Sequence, residues 1–438
     1  MADFFATLAK RAPHACAGWR HDAPVTHGVL ALRVRAWTAL ARRTAGPNIA
    51  LFHDDSLEFA AALLGAWQAG KTVWLAADTL PATCAALRPA MDAFWGQYPD
   101  GCAPLETDLC QQPWSDPAPG FAALIIHTSG STGAPRAIPK QFAQLTTELA
   151  ALEAQFGAAM GDCAVLATVS HQHIYGLLFR VLWPLHAGRP LHAHGIGHPE
   201  ALAPVLALRP CVLVASPAYL KRLPAHLNWN GVQLRAVFSS GGLLAPDAAM
   251  HAQTLLGRAP FEVYGSSETG GIAWRQGAAA AWKALPGVQV RIDGGQLSVW
   301  SLHAGDDWLE LADLAEAAGD GFFLRGRVDR IVKIEEKRVS LEAIEAALLA
   351  SDLVSEARVL VMPERAGQRQ ALAAFVVPSA QGQAMLDASG KAALNARLRS
   401  VLASVVEAVA LPRRWRYLDQ LPVDAQGKTS QAALLALL

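Results

Sequence analysis

FAALIIHTSGSTGAPRAIPKQFAQLTTELAALEAQF, residues 121–156, carries three patterns in succession. Its first seven residues are a short apolar run bounded by turn formers, as expected of a buried strand. Further on, Phe142, Leu145, Leu149, Leu152 and Phe156 step by three and four, which puts them on one stripe of a helix. Between the two lies Thr128-Ser129-Gly130-Ser131-Thr132-Gly133. Its glycines let backbone N–H groups converge and its hydroxyls add donors, so the loop suits phosphate oxygens. A loop passing from strand to helix also has a helix N-terminus beside it, which strengthens that reading. The same residue types make ordinary polar turns, so the loop alone decides nothing. No GxxxxGKS/T pattern is present, because Arg136 and Lys140 stand at other offsets, and no GxSxG elbow presents Ser129 or Ser131 as a nucleophile.

The alternation continues on both sides. NIALFH (48–53) reads as a strand. Asp55 with Glu58 three residues later reads as a capping box, and Gly70 ends the helix before TVWLAA (72–77), completing a βαβ unit. Further strands are expected at CAVLATV (163–169), CVLVA (211–215), LRAVFS (234–239) and FEVY (261–264), with Ser216 and Pro217 opening a helix after the second of these. The fold class is therefore α/β. Near Val288 the period changes to two: VQVRI and QLSVW flank Asp293-Gly294-Gly295, a hairpin signal that predicts an antiparallel β subdomain. After GRVDRIVKIEEKR (326–338) come a helix opened by Ser340, strands ARVLVM and ALAAFVV, and a long helix beyond Gly390. A boundary near Asp329 divides a large domain, 1–328, from a small α+β domain, 329–438.

With 438 residues, 52% of them hydrophobic, the chain can bury several cores and disorder is excluded. Its 37 basic and 37 acidic residues cancel, so there is no global field to gather nucleic acid or an anionic membrane. No apolar run approaches the roughly 18 to 20 residues of a spanning helix, and MADFFATLAKR has no basic region ahead of an apolar stretch. No membrane partner and a cytoplasmic location are expected. The six cysteines lack CxxC spacing and read as free thiols. His192, His194 and His198 form HxHxxxH in a Gly/Pro-flanked loop without a nearby fourth ligand, which does not read as a zinc site.

Taken in order, the motifs resemble those of the adenylate-forming superfamily of acyl-CoA synthetases, aryl-acid ligases and adenylation domains, from about Asn48 to the C-terminus. HTSGSTGAPRAIPK resembles the phosphate loop and Ser240-Gly241-Gly242 the adenine-side loop. Tyr264-Gly265-Ser266-Ser267-Glu268 is similar to YGxTE, whose glutamate is tied to magnesium. Asp313 stands where the family's aspartate grips the ribose hydroxyls, Arg327 at its second ribose contact, and Asp329 at the interdomain hinge. LPVDAQGKTS resembles the terminal LPxTxxGK motif, which implies that Lys428 meets the carboxylate and the α-phosphate. His171-Gln172-His173-Ile174-Tyr175-Gly176 resembles the wall of the acyl pocket, to which Gly241 and Gly265 also contribute, and a histidine there can read a phenolic hydroxyl. SHQHIYGLLFRVLWPL most resembles ligases of aryl polyene and xanthomonadin pigment clusters, which load a hydroxybenzoate-type acid onto an acyl carrier protein.

The resemblance implies catalysis by Lys428, Glu268 and Thr128, with ATP and Mg2+ as cofactors, a small carboxylic acid as substrate, and a carrier protein or CoA as acceptor. The pattern departs from the family at Arg136-Ala137, at Leu311-Ala312, and at Glu336, which replaces a glycine lining the pantetheine passage. Glu336 bears on whether free CoA is the acceptor. A CoA ligase for a fatty or other small acid, an idle nucleotide-binding regulator, and a kinase are the competing readings. The regulator is disfavoured because Glu268, Asp313, Arg327 and Lys428 are all present.

Overall fold

The computed structural model describes residues 4–105, 107–128, 136–334, 337–362, 371–403, 406, 411–423 and 429–438. Ser129, Gly130, Ser131, Thr132, Gly133, Glu336 and Lys428 lie outside these residues.

Two sheets dominate the larger part of the chain. A nine-stranded sheet runs in the order Lys283–Ala284, Gly270–Gln276, Phe261–Ser266, Leu234–Ser239, Cys211–Ala215, Ala164–Ala167, Leu191–His192, Cys16–Arg20, Ala23–Thr26. Its centre is parallel and its edges antiparallel. A five-stranded sheet runs Ala93–Gly96, Asn48–Phe52, Thr72–Leu75, Ala122–Thr128, Arg136–Gln141. One apolar core joins them: Ile49, Leu51, Val73, Leu75 and Leu124 on one side, Val165, Val212, Val214 and Phe238 on the other. The helices Ser56–Gln68 and Phe142–Met160 contribute to the same core. Every residue from Ser56 to Trp67 is buried, as a helix apolar on all sides requires. Phe142, Leu145, Leu149, Leu152 and Phe156 are buried along their stripe, as expected. The other face of the nine-stranded sheet packs Leu166, Leu213 and Val237 against helices Pro199–Leu208, Pro217–Lys221 and Pro246–Leu256.

The hairpin at Asp293-Gly294-Gly295 joins Gln289–Asp293 to Gln296–Ser301 in a four-stranded antiparallel sheet that continues with Gly305–Ala318 and Gly321–Arg327. Leu297, Val299, Ala315 and Phe322 pack on Ile272, Ala273 and Trp282 from the edge of the nine-stranded sheet, which fixes this subdomain against it. Beyond the short turn Val328–Arg330 and the hairpin Ile331–Ile334/Lys337–Ser340, a three-stranded sheet (Val354–Val361, Leu372–Pro378, Arg414–Tyr417) packs with helices Leu341–Leu349 and Ala380–Leu402.

The sequence expectations differ from the structure at three places. The glycine and hydroxyl loop does not run from strand to helix, because Arg136–Gln141 forms an intervening strand, with Thr128 opposite Arg136. This strand lies at the sheet edge, where Pro139 is tolerated. Asp55 does cap its helix, accepting from the N–H groups of Leu57 and Glu58, but its own N–H donates to His53 Nδ1, so Glu58 has no capping box to close. Finally, a helix does follow Gly390, as expected, but another precedes it from Ala380, the two meeting at a kink where Gly390 has φ of 75°.

Glu58 turns inward instead. Its buried carboxylate accepts Trp37 Nε1 at 2.7 Å and Arg33 Nε at 3.1 Å. Burial by itself would raise its pKa, but the hydrogen bonds from Arg33 and Trp37 override this and hold it below the ordinary range. A depressed folded-state pKa stabilises the fold above the ordinary carboxylate range, and that contribution is lost as pH falls through the lowered value. Glu58→Ala removes the buried carboxylate that Arg33 and Trp37 share and is expected to cost about 3–5 kcal/mol at pH 7. The deficit, measured as a denaturant midpoint, shrinks below about pH 4 as the wild-type carboxylate protonates.

Candidate active site

Parallel strands of open α/β sheets present ligand sites beyond their carboxyl ends. Here Leu234–Ser239 runs straight into Ser240-Gly241-Gly242, Cys211–Ala215 into Ser216, and Ala164–Ala167 into the segment ending at Gly176. The neighbouring strand Phe261–Ser266 carries Tyr264, Gly265 and Ser266 itself. Four separate stretches of sequence are thus aligned along one sheet margin. Ser240 Oγ donates to the Val263 carbonyl at 2.8 Å, tying the first loop to the strand beside it.

Gly265 sits at a bulge in the hairpin that joins Phe261–Ser266 to Gly270–Gln276. A Cβ at this position would come 2.1 Å from the Gly270 carbonyl oxygen, so no side chain fits. Ser266 and Thr269 close the turn: the Ser266 N–H donates to Thr269 Oγ1 at 3.1 Å and the Thr269 N–H to Ser266 Oγ at 3.2 Å. Ser267 and Glu268 are left at the apex, with Glu268 exposed.

Asp313 and Arg327 come from the four-stranded sheet, where they face each other in register, with Arg327 Nη1 3.3 Å from Asp313 Oδ2. The Tyr264 phenol donates to Asp313, and burial followed by the Asp313 charge holds its pKa well above the usual value. Tyr264 also packs its ring on Trp282, with centroids 5.6 Å apart. Three residues singled out from sequence, on two different sheets, therefore meet.

The segment 171–176, expected to wall the acyl pocket, divides. Tyr175 is in the short helix Ile174–Gly176, and its hydroxyl donates to the Ala215 carbonyl at 3.2 Å. Its ring lies 4.9 Å from that of Phe179, at the start of a π-helical stretch, Leu177–Leu182. His173 is half-buried immediately before this helix. His171 points elsewhere: its Nε2 is 2.7 Å from the His53 carbonyl and its Nδ1 3.2 Å from Ser56 Oγ, with the ring on Phe59. The carbonyl partner fixes the proton on Nε2, and burial pushes the imidazole pKa well down, so His171 is a neutral brace between helix and wall. Behind it Arg180 is buried, donating to the carbonyls of Val169 and Ala193 at 2.8 Å each, its pKa pushed down to about 10 by burial.

Thr128 ends the strand Ala122–Thr128, and Asp329 is within the turn Val328–Arg330. Sequence reading gave no role to Lys140, whose Nζ donates to the Glu268 carbonyl at 2.6 Å, or to Glu148, whose Oε1 accepts from the Gly271 N–H at 2.6 Å. The available signal was a lysine at an inward position of an alternating strand, two residues after buried Ile138.

Comparison with known proteins identifies the family and the fold. The family described as AMP-binding enzyme matches residues 91–298, and the AMP-binding enzyme C-terminal domain matches residues 343–428. A 4-coumarate-CoA ligase of Rhodobacter capsulatus is 33% identical over 318 residues, covering 70% of this chain and 74% of that protein. Among solved structures, ATP-bound MatB from Rhodopseudomonas palustris superposes with a TM-score of 0.81 at 20% identity, covering 100% of this chain and 98% of that one. A benzoate CoA ligase from Burkholderia xenovorans does so with 0.75 at 19% identity, covering 99% and 100%. The fold is thus that of adenylate-forming enzymes, and the chain belongs to the AMP-binding enzyme family as an AMP-forming acid-thiol ligase.

Proposed function

We propose that the chain activates a small aromatic acid of the hydroxybenzoate type as its acyl-adenylate and passes the acyl group to the phosphopantetheine thiol of an acyl carrier protein. The observation that carries the adenylating half is the meeting of Tyr264, Asp313 and Arg327 beside the turn that bears Glu268. In this reading Asp313 and Arg327 hold the ribose hydroxyls, while Ser240, Gly241, Gly242, Tyr264, Gly265, Ser266 and Ser267 line the nucleotide. Thr128 and the loop Ser129, Gly130, Ser131, Thr132 and Gly133 hold the phosphates. Glu268, an exposed carboxylate on a fixed turn, offers the hard oxygen that Mg2+ prefers. The ion supplies neutralisation of triphosphate charge when bound.

Both reactants are anions, so the chain's own residues must supply positive potential and alignment. One carboxylate oxygen of the acid attacks the α-phosphorus, and the bond to the bridging oxygen breaks as pyrophosphate leaves. Lys428 carries the balancing charge at the carboxylate and α-phosphate. Lys428 belongs to the segment 329–438 and the phosphate loop to 1–328, so the two meet only when these domains close about Asp329, and they separate again for the second step. There the thiolate attacks the acyl carbon and AMP departs with the electron pair.

An aryl acid is supported by the relation to a 4-coumarate-CoA ligase and by the paired rings of Tyr175 and Phe179 beside His173. The same relative favours a second reading in which free CoA is the acceptor. Glu336, at the position of the pantetheine-lining glycine, counts against free CoA and leaves a carrier protein to deliver the arm.

Purified protein with ATP, Mg2+ and a panel of acids is expected to release pyrophosphate with hydroxybenzoates faster than with benzoate, cinnamates or fatty acids. Equal rates on benzoate and hydroxybenzoates would remove the role of His173 as a reader of the phenolic hydroxyl. Lys428→Ala is expected to abolish pyrophosphate release, a loss of at least about 10²-fold, with an unchanged thermal midpoint. Normal release would sink the assignment. Mass spectrometry of the acylated thiol separates the acceptors: loading of a phosphopantetheinylated carrier protein without turnover of free CoA is expected, and efficient CoA turnover would establish the second reading.

A further inference from the structure

Lys140 and Glu148 are nearly completely buried, each 2% exposed, in the segment that follows the phosphate loop. A lysine and a glutamate seldom reach such burial without a defined partner. Here both partners are backbone groups of one turn, 128 and 123 residues away in sequence. Lys140 Nζ holds the carbonyl of Glu268 at 2.6 Å and Glu148 Oε1 holds the N–H of Gly271 at 2.6 Å, one at the apex of the turn and the other at the start of the returning strand. The Glu148 carboxylate lies so close that a Cβ on Gly270 would come 2.4 Å from its Oε2, and Gly270 has φ of 68°. A third buried side chain, His303, donates from Nε2 to the Gly271 carbonyl at 2.8 Å. Opposite charges on Lys140 and Glu148 favour each other as well as the turn: burial pushes the ammonium pKa down, and Glu148 and Glu268 oppose it.

We propose that Lys140, with Glu148 as its counter-ion, is a positioning residue that sets the Glu268 carboxylate for the nucleotide-bound metal. The idea rests on the reading of Glu268 as the magnesium-side carboxylate. The physical ground is that an exposed glutamate at a turn apex is otherwise free to move with its backbone, and a shift of about 1 Å at a reacting constellation costs on the order of 10²-fold. Tying the carbonyl of the same residue through a buried, charge-assisted hydrogen bond removes that freedom. Because Lys140 follows the loop 129–135 and Glu268 belongs to the other sheet, the bond also couples the phosphate-loop strand to the metal-side turn.

Calorimetric titration with a non-hydrolysable ATP analogue, with and without Mg2+, tests this on the full chain, together with the KM values for ATP and acid. Lys140→Met is expected to reduce the magnesium-dependent gain in affinity about tenfold, to leave magnesium-free affinity unchanged, and to raise the KM for ATP while the KM for the acid stays within about twofold. Lys140→Arg, which restores a charged donor, is expected to recover part of the gain. Glu148→Gln, which keeps an acceptor for Gly271 but loses the counter-charge, is expected to show a smaller loss of the same kind and stands in if Lys140→Met does not fold. A wild-type gain in Lys140→Met, or in Glu148→Gln where it stands in, overturns the proposal, as does equal loss with and without Mg2+. Glu268→Gln separates the two ideas. If Glu268→Gln keeps the full gain, the reading of Glu268 has failed and the clamp with it; if it loses the gain while Lys140→Met keeps it, the clamp alone is overturned.

Discussion

Between Gly265 and the carbonyl of Gly270 there is room for a hydrogen and not for a methyl group. This close approach lets the hairpin Phe261–Ser266/Gly270–Gln276 fold sharply at the margin of the nine-stranded sheet, and much of the site depends on it. The hairpin turns a parallel sheet into an antiparallel edge and gives the four-stranded subdomain a surface of Ile272, Ala273 and Trp282 to pack on. That packing brings Asp313 and Arg327 to Tyr264. The apex of the same hairpin presents Glu268 to solvent while its backbone is fastened from beneath.

Buried charge recurs at several joints between elements of the fold. Glu58 gathers Arg33 and Trp37 at the start of a fully buried helix. Arg180 braces the carbonyls of Val169 and Ala193 on either side of the helix that carries Tyr175. Glu262 and Arg275 make two parallel hydrogen bonds at 2.9 Å across the hairpin strands. Such groups contribute little net stability compared with apolar replacements, because desolvation offsets much of their attraction. What they supply is direction: a hydrogen bond to a particular carbonyl fixes a loop where dispersion contacts would allow it to slide.

Which parts were legible in sequence follows from the range of the interactions that made them. Apolar runs such as FAALIIH and CVLVA, the stripe from Phe142 to Phe156, and the turn at Asp293-Gly294-Gly295 are specified by neighbours a few residues apart, and each forms the expected element. The strand Arg136–Gln141 was hidden because Pro139 and Lys140 are poor strand formers; it is admitted by its edge position and by a lysine whose partner is 128 residues distant. The capping box at Asp55 failed for a similar reason, since Glu58 found stronger donors on Arg33 and Trp37, in another helix. His171 and Tyr175 are in one motif, yet the ring of His171 faces Ser56 and Phe59 while the hydroxyl of Tyr175 is tied to Ala215.

The sequence by itself determined the α/β class, the family, and the identity of Tyr264, Asp313 and Arg327 as members of one constellation, because local periodicity and ordered motifs survive without knowledge of distance. Only the tertiary structure decided what those residues touch. The register of Asp313 on Arg327, the reach of Tyr264 between sheets, and the burial of Lys140 and Glu148 beneath the Glu268 turn depend on how separate sheets pack. A side chain's charge has no fixed chemical meaning until that packing sets its solvent exposure and its partners.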